Sequence, residues 1–195
     1  MSTSLLKLDL IKAYDKIDWV YLHLLLVHIG LDHGIVSWIM ACVGNVQFSV
    51  LVNGASTRFF QSQRGLRQGF PLSPLLFILV MDDLSRMIGE AKWSGSLQGV
   101  KVSPTKLLTH ILFVDDVLLF GGNSLEEWTK FHEITSILCS AMGMEISNNK
   151  SNFIVAEGVV EPTILELFPI NVLHLEEGLQ YLGYKLKPNC YKIQD

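Results

Sequence analysis

The distribution of apolar residues along the chain predicts short strands and amphipathic helices. Residues 4–10 alternate between apolar and polar side chains, as in a strand with one buried face. Helical spacing of apolar residues recurs in segments 18–29, 34–43, 72–91 and 125–142. Asn53-Gly54, between two apolar runs, is typical of a hairpin turn. This order of elements predicts an α+β fold in which helices cover one antiparallel sheet.

Two neighbouring aspartates interrupt the apolar run from His110 to Phe120. Asp115 and Asp116 lie between flanks that each have the pattern of a short strand, so they fall at or near a hairpin turn. Adjacent carboxylates in an apolar segment must be solvated, paired or neutralised by a cation. Because successive strand residues point to opposite faces, both can face the same way only if the turn twists them. Taken alone, the pair also fits an ordinary surface turn.

A third carboxylate, Asp9, lies near the end of the first predicted strand. If that strand pairs beside the Asp115-Asp116 hairpin, three carboxylates converge, and such a site suits Mg²⁺ (or Mn²⁺) held together with substrate phosphates. Two such ions stabilise the attacking and the leaving oxygen of an in-line phosphoryl displacement. For Asp9 alone, the alternative is a strand-end aspartate that starts a turn.

Segment 64–77 combines glycines, arginines and prolines ahead of an apolar helix, with Ser73 as a candidate cap. Three of the four arginines in the chain, Arg58, Arg64 and Arg67, lie within ten residues and alternate with glutamines. Such a cluster suits contact with phosphates and base edges. An ordinary solvated turn is the alternative.

Composition indicates one compact domain. The chain has 195 residues, of which 49% are hydrophobic, so folding can bury about 70% of its unfolded surface. The net charge of −4 argues against strong non-specific nucleic-acid binding by the whole chain. Cys42, Cys139 and Cys190 show neither metal-site spacing nor even pairing. The apolar run 72–81 is too short to span a bilayer, so we expect no membrane partner.

Five motifs occur in a characteristic order: segments 7–15, 64–77, 113–116, 143–151 and 181–184. Together they resemble the palm of the reverse transcriptase of LINE-type retrotransposons without long terminal repeats, of the sort found in plants. The resemblance implies an α+β palm, with an antiparallel sheet covered by helices, in one partial reverse transcriptase domain over residues 1–195. It also implies an RNA-directed DNA polymerase, a metal-dependent nucleotidyltransferase that uses an RNA template, a DNA primer and deoxynucleoside triphosphates. Such an enzyme would be intracellular, nuclear or cytoplasmic.

The resemblance also implies roles for the matching residues. Asp9, Asp115 and Asp116 would bind the metals, and Lys150 would lie near the leaving pyrophosphate, where charge develops. Tyr14 would lie under the incoming sugar and exclude a 2′-hydroxyl. The other matching residues form three pairs: Gln68 and Gly69 for the nucleotide, Arg64 and Arg67 for nucleic acid, and Tyr181 and Gly183 in the hairpin that supports the primer end.

Two positions depart from this pattern. Phe70 stands where the family usually has a small or acidic residue, commonly aspartate, and Val114 replaces the usual alanine, although valine fits a strand. Segments that would match the fingers and thumb of the family are missing, so we expect a truncated chain that is inactive in isolation. Two alternatives remain open. One is a non-catalytic remnant that acts at most as a weak nucleic-acid or protein-interaction module, and the other is a palm-fold nucleotide cyclase, which would need neither segment 64–77 nor Tyr14.

Overall fold

The computed structural model describes residues 3–156 and 160–188, and the chain divides into two compact units. The first unit takes in residues 1–11, 81–137 and 146–195, and the second takes in residues 12–80 and 138–145. Each unit is described by itself below. That residues 1–195 form a single partial reverse transcriptase domain stays a prediction.

The described residues form both strands and helices, as the sequence predicts. The strands are β1 (Ser4–Asp9), β2 (Gln47–Phe48), β3 (Leu51–Val52), β4 (Ala55–Ser56), β5 (Phe60–Gln61), β6 (Val100–Ser103), β7 (Lys106–Leu108), β8 (His110–Phe113), β9 (Asp116–Gly121), β10 (Asn152–Val155), β11 (Asn171–His174), β12 (Leu179–Tyr181) and β13 (Tyr184–Leu186). The helices are α1 (Ala13–Lys16), α2 (Trp19–His28), α3 (His33–Gly44), α4 (Ser73–Trp93), α5 (Leu125–Met142) and α6 (Pro162–Leu167), and a single 3₁₀ turn covers Leu175–Glu177.

A five-stranded sheet organises the first unit. Its strand order is β11-β10-β1-β9-β8, so the amino-terminal strand is central. The pairs are antiparallel except for β10 and β11, which run parallel. The other strands of the described residues form two-stranded ribbons, including the β12–β13 hairpin of the first unit and the β3–β4 hairpin of the second. The α+β fold is thus confirmed.

The two faces of the sheet are covered by different elements. On one face, Leu6 and Leu8 of β1 are buried, and Trp128 of α5 meets Phe153 of β10 edge-on with 4.7 Å between ring centroids. The alternation in the sequence predicts this helix-covered face. The opposite face carries a second apolar cluster, in which the β12–β13 hairpin packs on the sheet; its buried members are Leu118, Ile154 and Leu179.

Local sequence signals set the start of two helices. Asp18 caps α2 by accepting hydrogen bonds from the backbone N–H groups of Val20 and Tyr21, and Asp32 caps α3 in the same way through Gly34. Helix α5 has the bounds predicted from spacing. Ser73 is a difference, because it is the buried first residue of α4 and not the residue that precedes the helix.

The β3–β4 hairpin turns at Asn53-Gly54, as predicted, with φ of 51° and 83° at the two residues. Positive φ at both central positions matches the right-handed twist of the flanking strands. Over the described ranges, no helix combines the length and apolar character needed to cross a membrane.

Candidate active site

The central strand brings two of the predicted acids together. Asp9 is the last residue of β1 and Asp116 is the first residue of β9, and the antiparallel register places them directly opposite each other. Cross-strand partners project from the same face of a sheet. Both residues are half-buried, whereas Asp115 is exposed in the turn that joins β8 to β9.

Val114 is the first residue of that two-residue turn, and its φ is +54°. The expectation that valine fits a strand here is therefore wrong. A β-branched side chain is rarely tolerated at positive φ, and such conformations cost about 1 to 3 kcal/mol. The surrounding β8–β9 ladder holds the turn in place, and the strain falls beside the carboxylates, where functional sites often store it.

Asp9 and Asp116 form an acidic pair, and Lys7 links Asp116 of this pair to the β12–β13 hairpin. Lys7 Nζ lies 3.7 Å from Asp116 Oδ1 and donates a hydrogen bond to the backbone oxygen of Gln180 at 2.8 Å. Burial and the negative charge of Asp116 raise the pKa of Tyr181 above its ordinary value. This hairpin turns at Leu182-Gly183. Tyr181, at the end of β12, and Gly183, in the turn, therefore both belong to the hairpin that was predicted to support the primer end.

Lys150 lies in a turn that is tied to the end of β1. The N–H of Asp9 donates to Ser151 Oγ at 3.0 Å, and the carbonyl oxygen of Asp9 accepts from the N–H of Ser147 at 2.8 Å. Lys150 lies between these two serines and its side chain is exposed. The structure thus brings the backbone of Lys150 close to that of Asp9.

The side-chain chemistry of the three predicted aspartates suits a divalent cation. Asp9, Asp115 and Asp116 offer only carboxylate oxygens, which Mg²⁺ and Mn²⁺ prefer. No group of three or more His, Cys, Asp or Glu side chains in residues 3–156 and 160–188 is gathered closely enough to hold a metal ion. Metal binding by the three aspartates therefore stays a prediction.

In the second unit, the guanidinium of Arg64 donates hydrogen bonds to backbone carbonyls. Its Nη2 donates to the oxygens of Lys16 and Gly143, both at 2.9 Å, and its Nε donates to Lys16 at 3.2 Å. The next residue, Gly65, has a φ of +84°, and an added Cβ would lie 2.5 Å from the backbone oxygen of Asp15. Arg64 and Gly65 thus fasten the start of segment 64–77 to the α1 region, and nucleic-acid binding by Arg64 stays a prediction.

Arg67 has a different environment. Its Nη2 donates to the carbonyl of Cys42 at 2.7 Å, and its guanidinium lies 4.2 Å from the centre of the Phe70 ring. Its Nε is buried and finds no hydrogen-bond partner among the residues that the structure describes. Gln68 and Gly69 follow on the surface, and Gly69 has a φ of +83° with open space where a Cβ would be.

Tyr14 is held against α4. Its ring stacks on Phe77 with 4.3 Å between centroids and 6° between planes, and its carbonyl accepts a hydrogen bond from Leu66 at 2.7 Å. The ring position of Tyr14 thus depends on segment 64–77. Its role under the incoming sugar stays a prediction.

The role of Glu127 was not predicted from the sequence. The side chain is buried, and it accepts hydrogen bonds from the backbone N–H groups of Gln98, Gly99 and Gly122. A signal was present, because Glu127 shares the helical face of the apolar Phe131. The carboxylate anchors two loops of the first unit.

The two cysteines in the described part of the chain are not joined by a disulfide. Cys42 and Cys139 are free thiols, and burial raises the pKa of Cys139 to about 11. Cys190 lies outside the described residues.

Comparison with known proteins decides the class of protein. Residues 1–186 match the family described as reverse transcriptase (RNA-dependent DNA polymerase). The chain belongs to the reverse transcriptase family. All five motifs, at 7–15, 64–77, 113–116, 143–151 and 181–184, lie within this match, so the resemblance to a reverse transcriptase is confirmed.

Two relatives identify the retrotransposon type. The chain is 26% identical over 123 residues to a retrovirus-related Pol polyprotein from type-1 retrotransposable element R2 of Popillia japonica, a match that covers 63% of the chain and 20% of the relative. It is 33% identical over 143 residues to the corresponding polyprotein of type-2 element R2DM of Drosophila melanogaster, covering 73% of the chain and 13% of the relative. This reverse transcriptase chain is of the non-long-terminal-repeat type, and it spans a fifth or less of these relatives.

Solved structures support the fold. Apo telomerase from Candida tropicalis, truncated from its C-terminal domain, matches with a TM-score of 0.61 and 17% identity over 82% of this chain and 32% of that one. At this identity the likeness concerns the fold alone, and it agrees with a reverse transcriptase palm.

Proposed function

We propose that this chain is the catalytic palm of an RNA-directed DNA polymerase that adds deoxynucleotides to a primer on an RNA template. The observation that carries the proposal is the register of β1 and β9, which sets Asp9 opposite Asp116 beside the turn that holds Asp115. Family membership supports the same reaction class.

In the proposed reaction, the primer 3′-hydroxyl oxygen forms a bond to the α-phosphorus of the nucleotide. The bond from that phosphorus to the pyrophosphate oxygen breaks, and the hydroxyl proton is lost to solvent or a nearby base. Mg²⁺ or Mn²⁺, when held by the aspartates, would supply charge stabilisation during this transfer. Asp9, Asp115 and Asp116 are the proposed ligands of the metal, and the tie between Asp9 and the turn of Lys150 supports a role for this lysine near the leaving group.

The remaining assignments belong to the same proposal. The stacking on Phe77 supports Tyr14 as a rigid wall for the sugar, because a ring packed in parallel cannot swing away without losing that contact. Exposure of Gln68 and Gly69 supports contact with the nucleotide. The other assigned groups are Arg67 together with Arg64 for nucleic acid, and Tyr181 with Gly183 for the primer end.

Phe70 is the departure that matters most for activity. Its ring contacts the Arg67 guanidinium, where the aspartate usual in the family would offer a carboxylate. A cation–π contact supplies no acceptor for the buried Nε of Arg67, and no carboxylate among residues 3–156 and 160–188 forms an ion pair with this arginine. Phe70→Asp is therefore the substitution that would restore a charge partner.

A graft tests the proposal. Residues 3–186 replace the matching segment of an active retrotransposon polymerase, and primer extension is measured on an RNA template with Mg²⁺. We expect extension by the graft, and a loss on the order of 100-fold or more when Asp115→Asn removes a metal ligand. Glu126→Gln, which neutralises an exposed acid of the first unit, is the matched control and should extend normally.

The outcomes separate the candidates. An inactive graft that gains activity through Phe70→Asp locates the defect at that residue and retains the polymerase assignment. A graft that stays inactive even after this repair favours the non-catalytic remnant. Extension that is unchanged by Asp115→Asn removes this residue from the reaction.

Metal binding is tested on the chain itself. Mn²⁺ should raise the melting temperature of the wild-type chain, because a ligand that prefers the folded state stabilises it. Asp115→Asn should abolish the shift, and an unchanged shift in this variant would show that the ion binds elsewhere.

A further inference from the structure

One lysine of the first unit contacts two elements at the candidate active site. Lys7 precedes Asp9 by two residues in β1, so both side chains project from the same face of the sheet. Its ammonium is 3.7 Å from Asp116 Oδ1 and 2.8 Å from the backbone oxygen of Gln180. Three N–H donors allow a lysine to meet both partners at once.

The environment of the Lys7 side chain strengthens both contacts. It is 15% exposed and the Asp116 side chain is 23% exposed. Charges shielded from water to this degree attract each other more strongly than a solvated surface pair does. A partly buried ammonium also needs partners, because burying it unpaired is costly.

The β12–β13 hairpin depends on side-chain contacts for its position. Within the described ranges, it shares no hydrogen-bonded ladder with the five-stranded sheet. A two-stranded hairpin is marginally stable by itself. Apolar packing of Leu179 against Leu118 and Ile154 holds the hairpin on the sheet. Such packing is non-directional and does not fix the position of the hairpin along the sheet. The hydrogen bond from Lys7 to Gln180 is directional and does fix it.

We propose that Lys7 is a positioning residue that couples the acidic pair to the β12–β13 hairpin. Its ammonium holds the Asp116 carboxylate on one side and the backbone of Gln180 on the other. The inference rests on the proposed function, because a polymerase needs the primer hairpin at a set distance from the metal ligands. Lys7 also places a fixed positive charge beside the proposed metal ligands and so weakens their affinity for cations.

Hydrogen exchange of the hairpin amides, measured without metal, tests the positioning role. Lys7→Met keeps the aliphatic stem and removes the charge, and we expect exchange of amides 179–186 on the order of tenfold faster, as the loss of one charged hydrogen bond predicts. Lys7→Arg keeps charge and donors and should exchange nearly as the wild type does. Lys101→Met, at an exposed position of β6, is the matched control.

Coupling to the acidic pair is tested with a double-mutant cycle. Asp116→Asn should also speed exchange in the hairpin, and adding Lys7→Met to it should bring little further change, because both substitutions break one linkage. Wild-type exchange in Lys7→Met, or fully additive effects of the two substitutions, would overturn the proposal. Lys7→Gln serves in place of Lys7→Met if that variant does not fold.

A Mn²⁺ titration keeps this proposal separate from the proposed function. Lys7→Met should bind Mn²⁺ more tightly than the wild type, by about tenfold, because a positive charge close to the ion is removed. Weaker or equal binding in Lys7→Met would contradict the fixed-charge part of the inference. If the wild-type chain binds no Mn²⁺, the proposed metal site fails, whereas the exchange data still decide whether Lys7 positions the hairpin.

Discussion

Glu127→Gln tests how much the Glu127 carboxylate stabilises the first unit by binding the backbone N–H groups of two loops. In the wild type, Oε1 accepts from the N–H groups of Gln98 and Gly99 at 2.9 and 2.7 Å, and Oε2 accepts from Gly122 at 2.9 Å. A glutamine keeps one oxygen, so it can retain the first two bonds. Its NH₂ group then faces the N–H of Gly122, and two donors cannot bond each other.

The cost follows from this geometry. One hydrogen bond to a charged group contributes about 1.5 to 3 kcal/mol, and leaving the part-buried N–H of Gly122 facing another donor adds about 1 to 2 kcal/mol. We therefore expect Glu127→Gln to lower the free energy of unfolding by about 3 to 5 kcal/mol, and the melting temperature by on the order of 10 °C. Glu127→Ala removes all three acceptor contacts and should cost more.

Urea denaturation followed by fluorescence measures this loss, since Trp128 adjoins the altered residue and is fully buried. Glu126→Gln is the matched control, because it makes the same chemical change at the exposed preceding position of α5. A loss below about 1 kcal/mol for Glu127→Gln would refute the reasoning, since it would mean that the three N–H groups do not depend on the carboxylate.

Three further predictions concern other features of the fold. Burial lowers the pKa of His110 below its ordinary value of 6.5. The unfolded chain therefore binds a proton at His110 more readily than the folded chain does. The stability that comes from neutral His110 is consequently lost as the pH falls from above 6.5 through the folded pKa. His110→Gln should flatten that loss in melting curves recorded between about pH 8 and about pH 5, and an unchanged slope would assign the loss to other groups. Gly65→Ala should cost at least about 2 kcal/mol more than Gly69→Ala in urea denaturation, because both have positive φ but only Gly65 abuts the Asp15 backbone; equal costs would contradict this close approach. Val114→Gly should raise the free energy of unfolding by about 1 kcal/mol through relief of positive φ, and a decrease would show that the turn is not strained.

Local patterns in the sequence predicted the secondary structure well where the pattern has a clear period. The alternation of residues 4–10 corresponds to β1, and helical spacing gave α5 its bounds. The Asn53-Gly54 turn follows from the positive φ that these residues tolerate. The order of the five motifs was sufficient for the family, because each motif is a short contiguous segment.

Contacts between distant segments were decided only by the tertiary structure. The pairing of Asp9 with Asp116, and the link from Lys7 to Gln180, depend on which strands become neighbours and in what register. Periodicity gives the face on which a side chain lies but does not name its partner on the next strand.

The same limit explains the residues whose environment differed from the expectation. Val114 has strand propensity but takes positive φ, because the β8–β9 ladder leaves only two residues for the turn. Glu127 suits a solvated first turn of a helix, yet the packing of α5 buries it beneath two loops whose N–H groups need an acceptor. Propensity and charge are properties of single residues and their near neighbours, whereas burial and hydrogen-bond partners are set when the whole chain packs.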